Sequence, residues 1–153
     1  EFRRVLFRSV RLMREIISTC LSLEHPLRIA YLGPEGTYTH AAVLKQFGGA
    51  VTPVPATDVG EVFREVESRA CDYGIVPIEN SVGGSINQTL DCLAESALHI
   101  CAEVVLAVHH QLLSGLTDLA QVKRVYAHEQ ALAQCRAWLD RHLPGAEIGR
   151  AHV

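Results

Sequence analysis

The chain has 153 residues, of which 48% are hydrophobic and 20% are charged, and this composition is typical of a soluble globular protein. Its 14 basic and 17 acidic side chains give a net charge of −3, and no apolar run reaches the ~20 residues that span a membrane. The lack of an apolar span argues against a membrane as partner, and the acidic balance, which becomes stronger when the two ends of the chain are excluded, argues against a basic surface for nucleic acid.

The two ends of the chain look like translated sequencing adapter. Residues 148–153 can be encoded by ATC GGA AGA GCA CAC GTC, preceded by AG if the codon of Glu147 is GAG. The reverse complement of this stretch, read in a shifted frame, encodes residues 4–9. We therefore predict that residues 1–9 and 148–153 are artefacts that do not belong to the fold. Excluding them removes four of the 14 basic residues and one of the 17 acidic residues, which changes the net charge from −3 to −6.

The predicted elements begin with a helix over residues 10–23. Val10, Met13, Ile17 and Leu21 recur at helical spacing, and Pro26 ends the pattern. We expect residues 10–25 to be the last helix of an upstream domain, separated from its partners.

From residue 28 onward, strands and helices alternate. The sequence predicts a strand at 28–32, a helix at 39–47, an edge strand at 50–54, a helix at 59–69 and a strand at 73–78. Asp58 and Glu61 have the spacing of a capping box for the second of these helices. A β-α-β-α-β order with short links predicts an α/β fold with a parallel sheet, whose ligand site lies beyond the carboxyl ends of the strands.

The remaining elements suggest a second lobe. The sequence predicts a helix at 86–96, a β-rich run at 98–113 that crosses between lobes, a strand at 122–127, a helix at 129–143 and the start of a strand at 144–148. We therefore assign a first lobe to residues 28–104 and an incomplete second lobe to residues 105–147. Trp138 is expected to pack between helix and sheet.

Two polar turns follow strands of the first lobe, "GPEGTYTH" at 33–40 and "ENSVGGS" at 79–85. Their hydroxyls and glycines suit either of two roles, which are capping of the next helix and binding of an anion at its N-terminus. Two such turns at one sheet edge would open on the same crevice, which makes a small anionic ligand as plausible as capping. The chain has no nucleotide-binding glycine motif, so no such cofactor is expected.

The cysteines form no C-x-x-C pair, and they are expected to be small core residues of a cytoplasmic protein; they are Cys20, Cys71, Cys92, Cys101 and Cys135. His109 and His110 are adjacent and would point to opposite faces of a strand. We therefore predict no metal site.

Three segments, in this order along the chain, carry a resemblance to a known family: "RIAYLGPEGTYTHAA", "DYGIVPIENSVGGSINQTLD" and "VYAHEQALAQCRAWL". Together they resemble the catalytic domain of prephenate dehydratases over residues 28–147. The preceding "MREIISTCLSLEHPL" resembles the final helix of a chorismate mutase domain. The chain is therefore similar to part of the bifunctional enzymes in which mutase, dehydratase and a regulatory ACT domain follow one another.

The resemblance implies a two-lobed fold like that of type II periplasmic binding proteins, with prephenate in the cleft. Prephenate would lose carbon dioxide and hydroxide to give phenylpyruvate, with no cofactor. It also implies a parent protein that is a homodimer with a downstream phenylalanine-binding ACT domain.

The resemblance also implies roles for individual residues. Asn80 would donate to prephenate, and Glu79 would orient the substrate or support proton transfer. The other implied site residues are Ser81 and Gly84 of the same turn, Thr37 and Thr39 of the first turn, and Gln134 and His128 of the second lobe.

The chain departs from the family at two places. Ala127 and Glu129 flank His128 where the family often has Ser-His-Pro, and the family's Thr-Arg-Phe motif does not occur in this sequence. We therefore expect an inactive part of a longer enzyme. Simpler interpretations stay open, since Gln134 could be a solvated helix residue and His128 a helix cap. A two-lobed module that binds a small carboxylate without chemistry is the alternative function, whereas a purely structural domain would leave the two polar turns unexplained.

Overall fold

The structure is a computed structural model that describes the backbone of residues 2–150 and the side chains of residues 9–150. The helices in this part of the chain are α1 (Phe2–Glu24), α2 (Tyr38–Phe47), α3 (Val59–Glu67), α4 (Asn87–Glu95) and α5 (Glu129–His142), with a short 3-10 helix at Leu119–Gln121. The strands are β1 (Arg28–Leu32), β2 (Thr52–Ala56), β3 (Tyr73–Ile75), β4 (Glu79–Asn80), β5 (Gly84–Ser85), β6 (Arg124–Ala127) and β7 (Glu147–Arg150). The predicted α/β fold is confirmed.

The chain divides into two compact units. The first comprises the chain up to Asn80 together with Ser85–Leu106, and the second comprises Ser81–Gly84 together with the chain from Ala107 onward. The lobes assigned from the sequence, residues 28–104 and 105–147, stay a prediction.

A three-stranded parallel sheet forms the centre of the first unit, in the order β2-β1-β3. Ile29 of β1 lies opposite Pro53 of β2 and Tyr73 of β3. The predicted edge position of β2 is confirmed. It agrees with the presence of Pro53 and Pro55, because proline has no backbone N–H with which to bond a second neighbouring strand.

The two faces of β1 build two separate core clusters, because successive side chains of a strand point to opposite faces. Ile29 and Tyr31 are buried with Val43 of α2 on one face, while Ala30 is buried with Val62 of α3 on the other. The sheet is thus held between one helix on each side, as in other α/β folds.

Of the cysteines, Cys71 fulfils the expectation of a core residue. It is buried, and burial is the main cause that raises the pKa of its thiol, which keeps the thiol neutral. Cys20 and Cys101 are exposed, so the prediction that the cysteines are core residues is wrong for them. Cysteine identity alone does not decide burial, which depends on the helix face or loop that carries it.

The second unit has its own small core. Strands β6 and β7 pair in parallel, and Val125 of β6 is buried with Leu139 and Leu143 against α5. Trp138 does not pack between helix and sheet as predicted: it is 42% exposed and stacks on His142, with ring centroids 4.5 Å apart. Its position one residue before Leu139 turns it away from the face that Leu139 buries.

The β-rich run at 98–113 forms no strand, in contrast to the prediction. Exposure nevertheless alternates there, since Val108 and His110 are half-buried whereas Ala107 and His109 are exposed. β-branched residues favour an extended chain, but a strand needs a neighbour for its backbone hydrogen bonds, and the described residues provide none for this run.

The residues expected to be adapter-derived lie in regular elements where they are described. Residues 2–9 continue α1, and residues 148–150 continue β7, in which Ile148 lies opposite Val125 and Arg150 opposite Ala127. Arg150 also forms a 3.0 Å ion pair with Glu129. Residues 1 and 151–153 lie outside the described part. The adapter origin of the ends stays a prediction, but exclusion of 148–150 from the fold is not supported.

Removing residues 148–153 is expected to speed hydrogen exchange at the β6 amides about tenfold or more, because β6 loses most of its partner strand. A loss of ~1.4 kcal/mol of local stability corresponds to a tenfold faster exchange. Removing residues 1–9 is the matched control and should shift the melting temperature by about a degree or two at most. Unchanged exchange at β6 in the first variant would show that β7 adds no stability.

None of the helices within the described residues is both long and apolar enough to cross a membrane.

Candidate active site at the carboxyl edge of the first sheet

Polar segments follow each of the three strands of the first sheet. Strands β1, β2 and β3 are parallel, and their carboxyl ends at Leu32, Ala56 and Ile75 therefore lie at the same edge. Ligand sites of open parallel sheets lie outside this edge. The residues directly after each strand decide which ligands the edge can bind.

The threonine hydroxyls of the turn after β1 form hydrogen bonds within that turn. Thr37 Oγ1 lies 2.9 Å from the carbonyl oxygen of Pro34 and 3.0 Å from Thr39 Oγ1, and the Thr39 hydroxyl donates to the carbonyl oxygen of Leu32. Thr37 also caps α2, since its Oγ1 accepts from the N–H of His40 at 3.4 Å. The capping interpretation therefore holds for this turn, and both hydroxyl protons have acceptors within it.

Gly33 lets this turn approach the neighbouring strand. Its N–H donates to the carbonyl oxygen of Ala56 at 2.9 Å, and an added Cβ would lie 2.9 Å from Cβ of Pro55. Because strand backbone and a Pro ring cannot easily shift, a side chain at Gly33 would push the turn away from the sheet edge.

His40 is a residue of this turn that the sequence reasoning missed. Its Nδ1 accepts from the N–H of Gly36 at 3.1 Å, and its ring stacks on Tyr31 at 5.0 Å. Burial, and secondarily the charge of Glu35, raise the pKa of Tyr31, which keeps this phenol neutral. The signal in the sequence was a histidine in the first helical turn, which can reach back to the loop N–H groups.

The end of β2 is acidic and unsuited to an anion. Asp58 caps α3 by accepting from the N–H of Glu61 at 2.8 Å, as predicted. The Glu61 carboxylate accepts from the hydroxyl and the N–H of Thr57, both at 2.6 Å, and these bonds, the hydroxyl first, lower the pKa of Glu61. Two carboxylates at this corner make the end of β2 unfavourable for an anion.

The segment after β3 forms a hairpin rather than a helix cap. Glu79 is exposed and Asn80 half-buried on β4, which pairs with β5. Helix α4 begins after Ile86, and no side chain caps it. Ser81 and Ser85 are exposed and do not cap α4. The capping interpretation is therefore wrong for this turn.

Strand β5 of the hairpin begins with a glycine that has an unusual backbone conformation. Gly84 has a φ of +71°, a backbone conformation that is strained for residues other than glycine. Nothing lies within 4 Å of a Cβ added at this position. The backbone of Gly84 is thus open to close approach from outside, as the predicted ligand-facing role requires.

A buried threonine holds the segment that leads into the hairpin. The side chain of Thr89 on α4 is fully buried, and its hydroxyl donates to the carbonyl oxygen of Pro77 at 2.7 Å. The N–H of Ile86 donates to the carbonyl oxygen of Ile78 at 2.9 Å. These bonds fix both ends of the hairpin, so Glu79 and Asn80 project from a supported base.

Replacing Thr89 by Val is expected to destabilise the protein by about 1–3 kcal/mol, because the carbonyl oxygen of Pro77 loses its buried donor while the shape is kept. Chemical denaturation measures the effect. Thr52→Val on the exposed face of edge strand β2 is the matched control and should change stability by less than about 0.5 kcal/mol. Equal effects at the two positions would rule out this support for the hairpin.

The second unit places its two predicted residues differently. His128 is exposed and caps α5, since its Nδ1 accepts from the N–H of Gln130 at 3.3 Å. The interpretation of His128 as a helix cap is therefore confirmed, and a further catalytic role stays a prediction. Gln134 is half-buried on α5, and its Oε1 lies 2.6 Å from Nε2 of His110. The interpretation of Gln134 as a merely solvated residue is thus not supported.

A groove elsewhere in the first unit does not coincide with these turns. Its volume is about 520 Å³, and it lies between α1 and the segment 46–51, lined mainly by apolar residues such as Met13, Ile17 and Phe47. The side chains that line it are unlike those of a catalytic site. Among the described residues, no group of three or more His, Cys, Asp or Glu side chains is arranged to hold a metal ion.

Comparison with known proteins identifies the family of the chain. The sequence profile of the prephenate dehydratase family matches residues 29–152. The bifunctional chorismate mutase/prephenate dehydratase of Pseudomonas aeruginosa is 54% identical over 138 residues, which are 90% of this chain and 38% of that protein. The same enzyme of Stutzerimonas stutzeri is 54% identical over the same shares. The chain thus spans about two fifths of the length of these curated relatives.

Solved structures give the same result. Prephenate dehydratase from Arthrobacter aurescens in complex with L-Phe has a TM-score of 0.68 and 35% identity, over 82% of this chain and 42% of that one. The prephenate dehydratase from Staphylococcus aureus has a TM-score of 0.69 and 29% identity, over 82% of this chain and 47% of that one. The family profile covers well over half of the chain, and the chain therefore belongs to the prephenate dehydratase family.

Proposed function

We propose that the chain is part of a longer prephenate dehydratase, which converts prephenate to phenylpyruvate, carbon dioxide and water. The family match over residues 29–152 carries this proposal. The geometry supports it, because the Glu79–Asn80 hairpin lies at the carboxyl end of the first sheet and caps no helix. Such an enzyme must hold two carboxylates, protonate a leaving hydroxyl and exclude water.

The proposed fold of the whole catalytic domain is two-lobed, like that of type II periplasmic binding proteins. The parallel β-α-β-α-β unit around β1 supports the first lobe, and the parallel pair of β6 and β7 against α5 supports the second. Prephenate would bind in the cleft between the lobes. On this proposal, residues 28–104 and 105–147 are parts of the two lobes.

The hairpin supplies the central residues of the proposed site. The amide of Asn80 donates to a carboxylate of prephenate. Ionised Glu79 would repel such a carboxylate, so it acts on the leaving hydroxyl or orients another donor. Ser81 offers a hydroxyl at the exposed tip, and Gly84 offers an open backbone at the start of β5.

Thr37 and Thr39 form the proposed wall of the site next to the hairpin. Their hydroxyl protons already have acceptors in the carbonyl oxygens of Pro34 and Leu32. They therefore bind substrate by accepting from it, or they donate only if these local bonds are exchanged. Their main contribution on this proposal is to hold the turn after β1 in shape.

The second unit contributes Gln134 as a donor to the substrate and His128 as a neighbour at the start of α5. Ala127 and Glu129 replace the family's usual serine and proline beside His128, so neither flanking residue offers a hydroxyl. The roles of both residues are carried over from the family and rest on their places in the motif "VYAHEQALAQCRAWL".

The parent protein is proposed to be bifunctional and cytoplasmic, with an upstream chorismate mutase domain that ends in residues 10–25. Helix α1 supports this context, because apolar residues on it are exposed, among them Leu12, Ile16 and Ile17. A homodimer with a downstream phenylalanine-binding ACT domain completes the proposal. A relative crystallised with L-Phe supports the regulatory part.

The test is to express the complete parent protein, supply prephenate and measure phenylpyruvate. Formation of phenylpyruvate at an enzymatic rate without added metal or cofactor is the expected result. Binding of prephenate without turnover would instead support the alternative, a two-lobed module that captures a small carboxylate.

A further inference from the structure

His110, which lies outside the three segments that resemble the family, contacts Gln134, which lies within the third of them. His110 lies in the extended run before Gly115, and Gln134 lies on α5, 24 residues later in the chain. Their atoms Nε2 and Oε1 are 2.6 Å apart, and both side chains are half-buried. A contact this short between partly buried groups holds both side chains in one orientation.

The chemistry of the contact fixes the direction of the hydrogen bond. Oε1 of an amide can only accept, so Nε2 of His110 carries the proton and donates. Because Oε1 of Gln134 accepts from His110, the amide is oriented with the N–H groups of its Nε2 on the other side, and these are the groups through which Gln134 can donate to a ligand. Prephenate presents carboxylate oxygens, which require donors.

We propose that His110 is a positioning residue for the dehydratase reaction: it holds the amide oxygen of Gln134, so that Gln134 presents its N–H groups to the substrate. This inference rests on the proposed function of the parent enzyme. His109, the neighbouring histidine, is exposed and is not proposed to position Gln134. The adjacent histidines thus provide a matched pair for a test.

The opposing possibility is that His110 merely attaches the run 107–113 to α5. A structural attachment and a positioning role differ in one respect. If His110 acts through Gln134, its loss matters only while Gln134 is present, whereas loss of an attachment would damage the protein with or without the amide.

The experiment uses the full-length parent enzyme and its steady-state kinetics with prephenate. His110→Phe removes the donor and keeps a ring, and it should lower kcat/KM by about 10- to 100-fold, the scale of a misplaced binding group. His110→Gln restores an N–H donor and should recover most of this loss. His109→Phe should stay within about twofold of wild type, the scale of a neutral surface change.

A double-mutant cycle with Gln134→Met decides the mechanism. His110→Phe should lower kcat/KM no further in the Gln134→Met background, and each single variant should show the same division of its effect between kcat and KM. An equal loss in both backgrounds, a failure of His110→Gln to restore activity, or unfolding of His110→Phe in a thermal melt would overturn the proposal. A wild-type parent that lacks dehydratase activity would overturn the proposed function, and this inference with it.

Discussion

The chain of 153 residues is expected to form phenylpyruvate from prephenate no faster than the background reaction. The resemblance to the family implies that the threonine of its Thr-Arg-Phe motif protonates the leaving hydroxyl and that the arginine holds a substrate carboxylate. The sequence of this chain contains no such tripeptide. General acid catalysis alone contributes typically 10²- to 10⁴-fold, and positioning in a closed site several kcal/mol more.

The measurement compares the purified chain with the parent protein that continues through Thr-Arg-Phe, under the same conditions. Activity should appear only in the longer protein, and the shorter chain should also be less soluble because apolar side chains such as Ile100 and Leu113 are exposed. Enzymatic turnover by the short chain would contradict this prediction and return the search for the acid to Glu79 and His128.

Replacing Asn80 by Ala in the parent protein is expected to reduce kcat by about 10²- to 10³-fold, while the free energy of unfolding changes by ~1 kcal/mol or less. Loss of one positioned donor to a reacting anion typically costs about 2.7–4 kcal/mol of transition-state stabilisation. If Asn80 served only as a helix cap, its replacement would lower the free energy of unfolding by ~1 kcal/mol and leave kcat nearly unchanged. The structure weakens that interpretation, because α4 begins after Ile86 without a side-chain cap.

Asn80→Asp and Asn87→Ala sharpen the comparison. The aspartate replaces the donor by a charge that repels the substrate, so it should be at least as harmful as alanine. Asn87 is an exposed asparagine in the first turn of α4, and its replacement should leave kcat within about twofold of wild type. Parallel unfolding and turnover measurements decide, and a larger loss of stability than of turnover for Asn80→Ala would count against its role in binding.

Local patterns in the sequence were sufficient for most of the first sheet. The order of strands and helices, the edge position of β2 and the cap at Asp58 were all predicted from residues within one turn or one strand. They could be predicted because periodicity, proline and capping act over a few neighbouring residues. The motif around Glu79 and Asn80 likewise identified the family that the profile match confirms.

The sequence could not say how the polar groups of the turns are used. Thr37 caps a helix and keeps its proton within its own turn, whereas Ser81, in a similar setting, does not cap the helix after it. The difference depends on where the next helix begins and on which carbonyl oxygens lie nearby. Neither can be obtained from residue types alone, because side-chain hydrogen bonds compete with one another in three dimensions.

The sequence by itself determined the alternation of elements, the family and the candidate residues, because these depend on short-range patterns. Only the tertiary structure decided that the run at 98–113 lacks a partner strand within the described residues, that Trp138 lies on the exposed face of α5 and that His110 contacts Gln134, which is 24 positions away in the chain. Each of these depends on the neighbours of a residue in space, and a contact between distant residues leaves no local pattern when one chain is read alone.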